Sequence, residues 1–216
     1  MRSSLAVAVL AFSSFACQAP TPTLPDGEGR GLLSSDTTAP AGAAIYERPT
    51  WRVGDRFTMV VGERVRSTFT VTAVEGQGYV LDCDGKVRMH YDLDLGNLGM
   101  WVGDGDVAQR LLSPVDVRYT WPLWVGKTWS CEFAERTVGG PAVTLAARYR
   151  VEAIDRVSVP AGTFEALRIV RLLRPTAGAD ATPTRAQVIW YAPSVGFEVR
   201  QMIGQSLIEL DSFAAR

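Results

Sequence analysis

Lys86-Val87-Arg88-Met89-His90-Tyr91-Asp92-Leu93-Asp94-Leu95 is the stretch that decides the fold. Polar Lys86, Arg88, His90, Asp92 and Asp94 alternate with apolar Val87, Met89, Tyr91, Leu93 and Leu95, the period of two that gives an extended strand one dry face and one wet face. The period recurs on both sides. Thr68, Thr70 and Thr72 alternate with Phe69, Val71 and Ala73. Leu145, Ala147, Tyr149, Val151 and Ala153 alternate with Ala146, Arg148, Arg150, Glu152 and Ile154, and Phe197 and Val199 with Glu198 and Arg200. No apolar segment beyond the first few residues keeps a capped helical stripe. Turn signals separate the alternating runs: Asp84-Gly85, Leu95-Gly96-Asn97, Val159-Pro160-Ala161-Gly162, and the bend bracketed by Pro193 and Gly196. The pattern predicts an all-β domain, an antiparallel meander forming a curved sheet, open barrel or sandwich.

A repeat runs through it. Trp51-Arg52-Val53-Gly54-Asp55-Arg56-Phe57 resembles Trp124-Val125-Gly126-Lys127-Thr128-Trp129 in its Val-Gly-polar core, and Val71-Thr72-Ala73-Val74-Glu75 resembles Val151-Glu152-Ala153-Ile154-Asp155. His90-Tyr91-Asp92 holds the place in its half that Trp190-Tyr191-Ala192 holds in the other. The matches keep one order while their spacing drifts from 72 to 100 residues, which predicts a duplicated β unit with halves of about 50–115 and 116–213.

Toward the N-terminus the character changes. Met1 and Arg2 precede an apolar run, Leu5–Phe12, followed by small residues and Ala16-Cys17. This reads as a signal peptide over 1–16, too short for a permanent membrane span. Ala16-Cys17 resembles the lipobox of bacterial lipoproteins, with Ser14 and Phe15 departing from it; the resemblance implies acylation of Cys17 and a membrane anchor through N-terminal acyl chains. Cleavage without acylation, releasing a secreted protein, is the alternative. Gln18 after the cysteine, in place of Asp, implies the outer membrane of the cell envelope. Residues 17–44 carry Pro20, Pro22, Pro25 and Pro40 among small and polar residues, so they read as an acylated cysteine plus a disordered tether ahead of a β domain at 45–216.

Composition excludes several partners. The 216 residues are 47% hydrophobic and 21% charged with a formal charge of −1, and the basic residues (20 Arg, with Lys86 and Lys127 the two lysines) are scattered. No basic field exists to hold a phosphate backbone, so nucleic acid is not an expected partner. If Cys17 carries lipid, Cys83 and Cys131 remain as an even pair on two core-directed faces: a candidate disulfide, or two buried thiols.

Chemistry is sparse. His90, the single histidine, shares the polar strand face with Arg88 and Asp92 and reads as a solvated surface residue. No Gly-x-Ser-x-Gly elbow is present. Asp82, Asp84, Asp92, Asp94, Asp104 and Asp106 are dense enough for a carboxylate pair or a calcium site, but they read more simply as turn residues with outward carboxylates. No catalytic residue, metal or cofactor is assigned. Of the six tryptophans, Trp121, Trp124, Trp129 and Trp190 are candidate ligand-binding aromatics, with core packing the alternative use.

Pro122-Leu123-Trp124-Val125-Gly126-Lys127-Thr128-Trp129, Val159-Pro160-Ala161-Gly162-Thr163-Phe164-Glu165-Ala166-Leu167 and Trp190-Tyr191-Ala192-Pro193-Ser194-Val195-Gly196 together resemble a family of uncharacterised β-rich domains in bacterial periplasmic proteins and lipoproteins. The resemblance implies an exported β domain and no established reaction or catalytic residues. The expected function is therefore a non-enzymatic, membrane-anchored binding or scaffolding domain. A carrier of an apolar ligand in a concave β pocket is the first alternative, and a carboxylate-based glycan hydrolase the second.

Overall fold

Alternation of apolar and polar side chains becomes thirteen strands in the computed structural model, which describes residues 31–62, 65–76, 78–103, 105, 107–176 and 185–215. They are β1 (Leu32–Ser35), β2 (Arg56–Val61), β3 (Val65–Glu75), β4 (Gly78–Cys83), β5 (Val87–Asp92), β6 (Asn97–Val102), β7 (Ala108–Asp116), β8 (Thr128–Thr137), β9 (Ala142–Val159), β10 (Gly162–Pro175), β11 (Arg185–Ala192), β12 (Phe197–Ile203) and β13 (Ser206–Ala214). The burial follows the sequence parity. On β9, Leu145, Ala147, Tyr149 and Val151 are buried while Arg148, Arg150 and Glu152 between them are exposed.

Every strand from β2 to β13 pairs antiparallel with the next, and β13 pairs back onto β2. The meander therefore closes into a twelve-stranded up-and-down barrel, with β1 added outside the ring. Closure removes the free edges that an open sheet would leave. The strand number also matters for the interior. Side chains alone fill a barrel of about eight strands, and one of about sixteen leaves a channel; twelve leaves room for a cavity.

The two halves, β2–β7 and β8–β13, repeat each other in detail. The Gly54 N–H donates to the Val71 carbonyl (2.8 Å) and the Val71 N–H to the Asp55 carbonyl (2.9 Å). In the second half Gly126 donates to Val151 (2.8 Å) and Val151 to Lys127 (2.9 Å). Gly54 and Gly126 hold φ of 95° and 97°, a region that glycine enters without strain, which is why Val-Gly opens both halves. Register slips past Thr72 in β3 and past Glu152 in β9, and again between His90 and Tyr91 and between Trp190 and Tyr191. The drift in spacing has a simple source: β9 and β10 are longer than β3 and β4, and a longer connection joins β10 to β11.

The halves differ at their seams. β13 pairs with β2 from Ile208 to Ala214, whereas β7 pairs with β8 only from Arg110 to Ser113. The β8 edge that β7 leaves, around Trp129–Cys131, is taken by β1. Gly31 leads β1 in: its carbonyl accepts from the Glu132 N–H (2.9 Å), and a Cβ at this position would run into the Glu132 carbonyl oxygen. At the other end Asp36 Oδ2 accepts from the Thr128 N–H (2.7 Å) and hydroxyl (2.9 Å). This corrects the tether expected through residue 44. Leu32–Ser35 is a strand held by backbone pairing, with Leu33 exposed, so no buried-face periodicity announces it. The expected leader and Cys17 lie outside the described residues.

Outward positions carry Thr68, Thr70, Arg148, Arg150, Glu152 and Arg168, and the inward ones include the apolar core. Among the described residues no helix is long and apolar enough to cross a membrane.

Candidate functional site

Side chains from both halves of the barrel surround a cavity of about 470 Å³, within the size range of small-molecule sites. Its lining is mixed in chemistry. Met59 of β2, Phe69 of β3 and Met89 of β5 make an apolar wall, continued by Leu112, Phe133 and Ile208. Trp51 stands at its base, against Phe57, Tyr79, Tyr91 and Phe197 at ring separations of 5.3–5.8 Å. Its indole N–H donates to the Gly196 carbonyl (2.9 Å), and Phe57 and Phe197 stack at 4.1 Å. Such pairs add about 0.5–1.5 kcal/mol each beyond area burial, so this end of the site is rigid.

The polar part of the lining holds two ionic networks. In the first, Asp116 accepts from Tyr149 OH at Oδ1 (2.6 Å) and from Arg171 Nη2 at Oδ2 (2.6 Å). Arg171 Nε donates to Tyr149 OH (2.9 Å) and Nη1 to Gln187 Oε1 (3.4 Å), and Gln187 donates on to Gln201 (2.9 Å). In the second, Glu198 Oε1 accepts from Tyr119 OH (2.7 Å) and lies 2.7 Å from Arg118 Nη2. Arg110 also lines the cavity.

Burial sets the protonation of these groups. It raises Tyr119 and Tyr149 well above the usual phenol range and pushes Tyr91 up to about 12, so all three stay protonated and donate. Burial also works against the charges of Arg118 and Arg171. Glu198 outweighs it at Arg118, and Tyr149 and Asp116 at Arg171, so both guanidiniums are held more firmly charged than in water.

The four candidate tryptophans line none of this cavity. Trp129 is buried, stacked on Tyr149 at 4.9 Å, and donates to the Val117 carbonyl. Trp121 donates to the Asp94 carbonyl and packs on Tyr119 and Tyr191; Trp190 donates to Asp155 Oδ2 beneath Arg200. Trp124 lies under the Lys127 ammonium, 4.3 Å from its ring. Trp51 is the tryptophan that lines this cavity.

Cys83 and Cys131 are free thiols, which corrects the candidate disulfide. Both sit on inward parity, but β5, β6 and β7 stand between their strands. His90 is half-buried, not solvated. Gly99 opposite it leaves room for the Trp101 ring, 4.3 Å away, and burial, helped by Arg88, lowers the imidazole pKa. Of the dense carboxylates, Asp82 accepts from the Gly85 N–H and Asp92 from the Gly96 N–H, each closing a turn, and Asp84 accepts from the Thr68 N–H, tying its turn to β3. Asp104 and Asp106 lie outside the described residues.

The sequence reading missed Asp116, Arg118, Arg171 and Glu198. Glu198 had been placed on the wet face by simple alternation, but Val199 is an extra residue in the pairing of β12 with β11, and the slip turns Glu198 inward. A tyrosine three positions into the same polar cluster, Tyr119 beside Arg118, was the available signal for a buried network.

No family model matches the chain, and no curated protein does. Three solved structures are similar to it. The hypothetical lipoprotein YmcC from Escherichia coli shares 8% identity over 78% of this chain and 90% of its own, with a TM-score of 0.47. A protein assigned as exported, with a YmcC-like fold, from Bacteroides fragilis shares 13% over 79% of this chain and 100% of its own, at 0.44. A protein assigned as a lipoprotein from Parabacteroides distasonis shares 11% over 78% and 99%, at 0.43.

Proposed function

We propose that this chain is a membrane-anchored envelope lipoprotein whose barrel carries a small, partly apolar molecule without making or breaking bonds in it. The observation that carries the reading is the cavity of about 470 Å³, lined by apolar Met59, Phe69, Met89 and Phe133 together with polar Arg110, Arg118 and Glu198. A scaffold needs no such interior, so the geometry favours the carrier among the non-enzymatic readings. A carboxylate hydrolase needs an acid and a base free to meet a glycosidic bond. Asp116 and Glu198 are instead each held by an arginine and a tyrosine. The anchor rests on Ala16-Cys17 and the apolar run before it.

The test is native mass spectrometry of protein purified from its own membranes. A retained small molecule, lost when Met59→Trp fills the apolar wall, is the expected result. Protein that comes out empty, and that takes up no apolar fluorophore afterwards, refutes the carrier. Fatty-acid labelling of wild type and Cys17→Ser tests the anchor separately, and equal labelling removes it.

A further inference from the structure

We infer that the molecule carried is an anion, a single-chain amphiphile whose oxyanion headgroup is bound by Arg110 and Arg118 on the cavity wall; this rests on the carrier reading above. Among the lining side chains four are arginines (Arg110, Arg118, Arg171 and Arg185) and three are carboxylates (Asp116, Glu135 and Glu198), an excess of one positive charge by subtraction. The carboxylates are not spread evenly. Asp116 is saturated by Tyr149 and Arg171. At Glu198, Oε1 accepts from Tyr119 OH and lies 2.7 Å from Arg118 Nη2, which leaves the other Arg118 N–H groups to the cavity side.

This leaves guanidinium N–H groups out of water and unanswered. Arg118 Nε and Arg110 Nε are buried with no hydrogen-bond partner among the described residues, while Arg118 Nη2 sits in the ion pair with Glu198. Arg110 pairs with no carboxylate among them either. A buried charged donor is too costly to leave without an acceptor or a solvent partner. Tyr91, on the strand β5 that faces the same space, offers a third donor: its hydroxyl has only the Met89 sulfur, at 3.8 Å. Guanidinium forks match the two oxygens of a carboxylate or a phosphate, and their hydrogen bonds to an ion are about twice as strong as neutral ones. Met59, Phe69 and Met89 line the same cavity, with Met89 beside the Tyr91 hydroxyl, so an alkyl chain attached to such a headgroup would be covered there.

The experiment is calorimetric titration of the full chain with three ten-carbon probes: decanoate, decyl phosphate and decanol. The expected result is that at least one anion binds ten-fold or more tighter than decanol, and which anion is tighter separates a carboxylate source from a phosphate source. Arg118 neighbours Glu198, so its removal risks the fold; Arg110, half-buried and unpaired, is the variant of choice. Arg110→Gln should bring the anions within about three-fold of decanol, leaving decanol unchanged, and Arg110→Lys should keep most of the preference. Decanol binding as tightly as both anions overturns the inference and leaves the carrier standing. Binding of none of the three overturns both.

Discussion

Asp55 and Lys127 occupy the same place in the two halves of the barrel, both are buried, and they carry opposite charges. Each follows the glycine whose N–H crosses to a valine, and each carbonyl accepts from that valine. Around this shared backbone the side chains solve burial differently. Asp55 Oδ2 accepts from the Arg52 N–H (2.7 Å) and closes its turn locally. Lys127 Nζ donates to the Pro122 carbonyl (2.8 Å) and lies over Trp124. The repeat thus fixes the main chain and leaves the charge free to vary.

Burial pushes the Lys127 amine down to about 8, with Asp36 opposing. From pH 8 toward 10 the unfolded chain keeps a proton on this lysine that the folded chain has released, so its contribution makes stability rise with pH across that window. Urea unfolding at pH 7, 8, 9 and 10 should show wild type gaining about 1–3 kcal/mol relative to Lys127→Met. The reading is the difference between the two proteins, because buried tyrosines act in the other direction above pH 10: Tyr91, pushed up to about 12, stays protonated in the fold after the unfolded chain has lost its proton. Parallel pH profiles would show that the amine is not perturbed.

Asp116 and Arg171 form a buried ion pair at 2.6 Å with side-chain exposures of 7% and 14%. Removing one partner strands the other, so Asp116→Ala and Arg171→Met should each cost about 3–5 kcal/mol in denaturant unfolding. The double variant should cost less than the sum by about 1–3 kcal/mol, because the two share one network with Tyr149. Additive costs would show that the pair is not coupled.

Gly31→Ala should release β1. The amide of Glu132, which donates to the Gly31 carbonyl, and that of Thr128, which donates to Asp36, are then left to solvent. Hydrogen exchange at both should accelerate about ten-fold or more, equivalent to about 1.4 kcal/mol of local stability, while β10 and β11 keep their protection. Unchanged exchange at Glu132 would mean that β1 accommodates the methyl group.

Unfolding without reductant should give two alkylatable thiols, Cys83 and Cys131, in peptide mapping. In the folded protein Cys83 should react first, since Cys131 is fully buried, though slowly for its exposure because burial, with Asp84, raises its thiol pKa. A linked Cys83–Cys131 peptide would reverse this assignment.

Strand alternation made the antiparallel meander legible, because inward Phe69, Val71, Tyr149 and Val151 must be apolar whatever their partners. The repeat was legible for a related reason: Gly54 and Gly126 sit where the backbone demands φ near 95°, and that demand reaches the sequence directly. Closure did not, since nothing in β2 or β13 states that they will pair across the ten strands between them. The site was hidden by compensation. Asp116, Arg171 and Glu198 look like surface residues singly and become interior ones only through partners far away in the chain. The tryptophans stand in the opposite case, conspicuous in sequence and already engaged in the fold. β1 went unread because backbone pairing carries it and its side chains do not.

The pairing of β13 with β2, and of β7 with β8, means that each six-stranded half ends in edges only the other half covers. Split between β7 and β8, neither fragment could stand by itself; each would seek a second sheet of matching curvature, its twin included. A molecule built this way is a fused dimer in its physics, and the chamber on its axis belongs to the union. Its lining draws apolar and ionic side chains from both halves, so its chemistry can drift without disturbing the hoop that holds it.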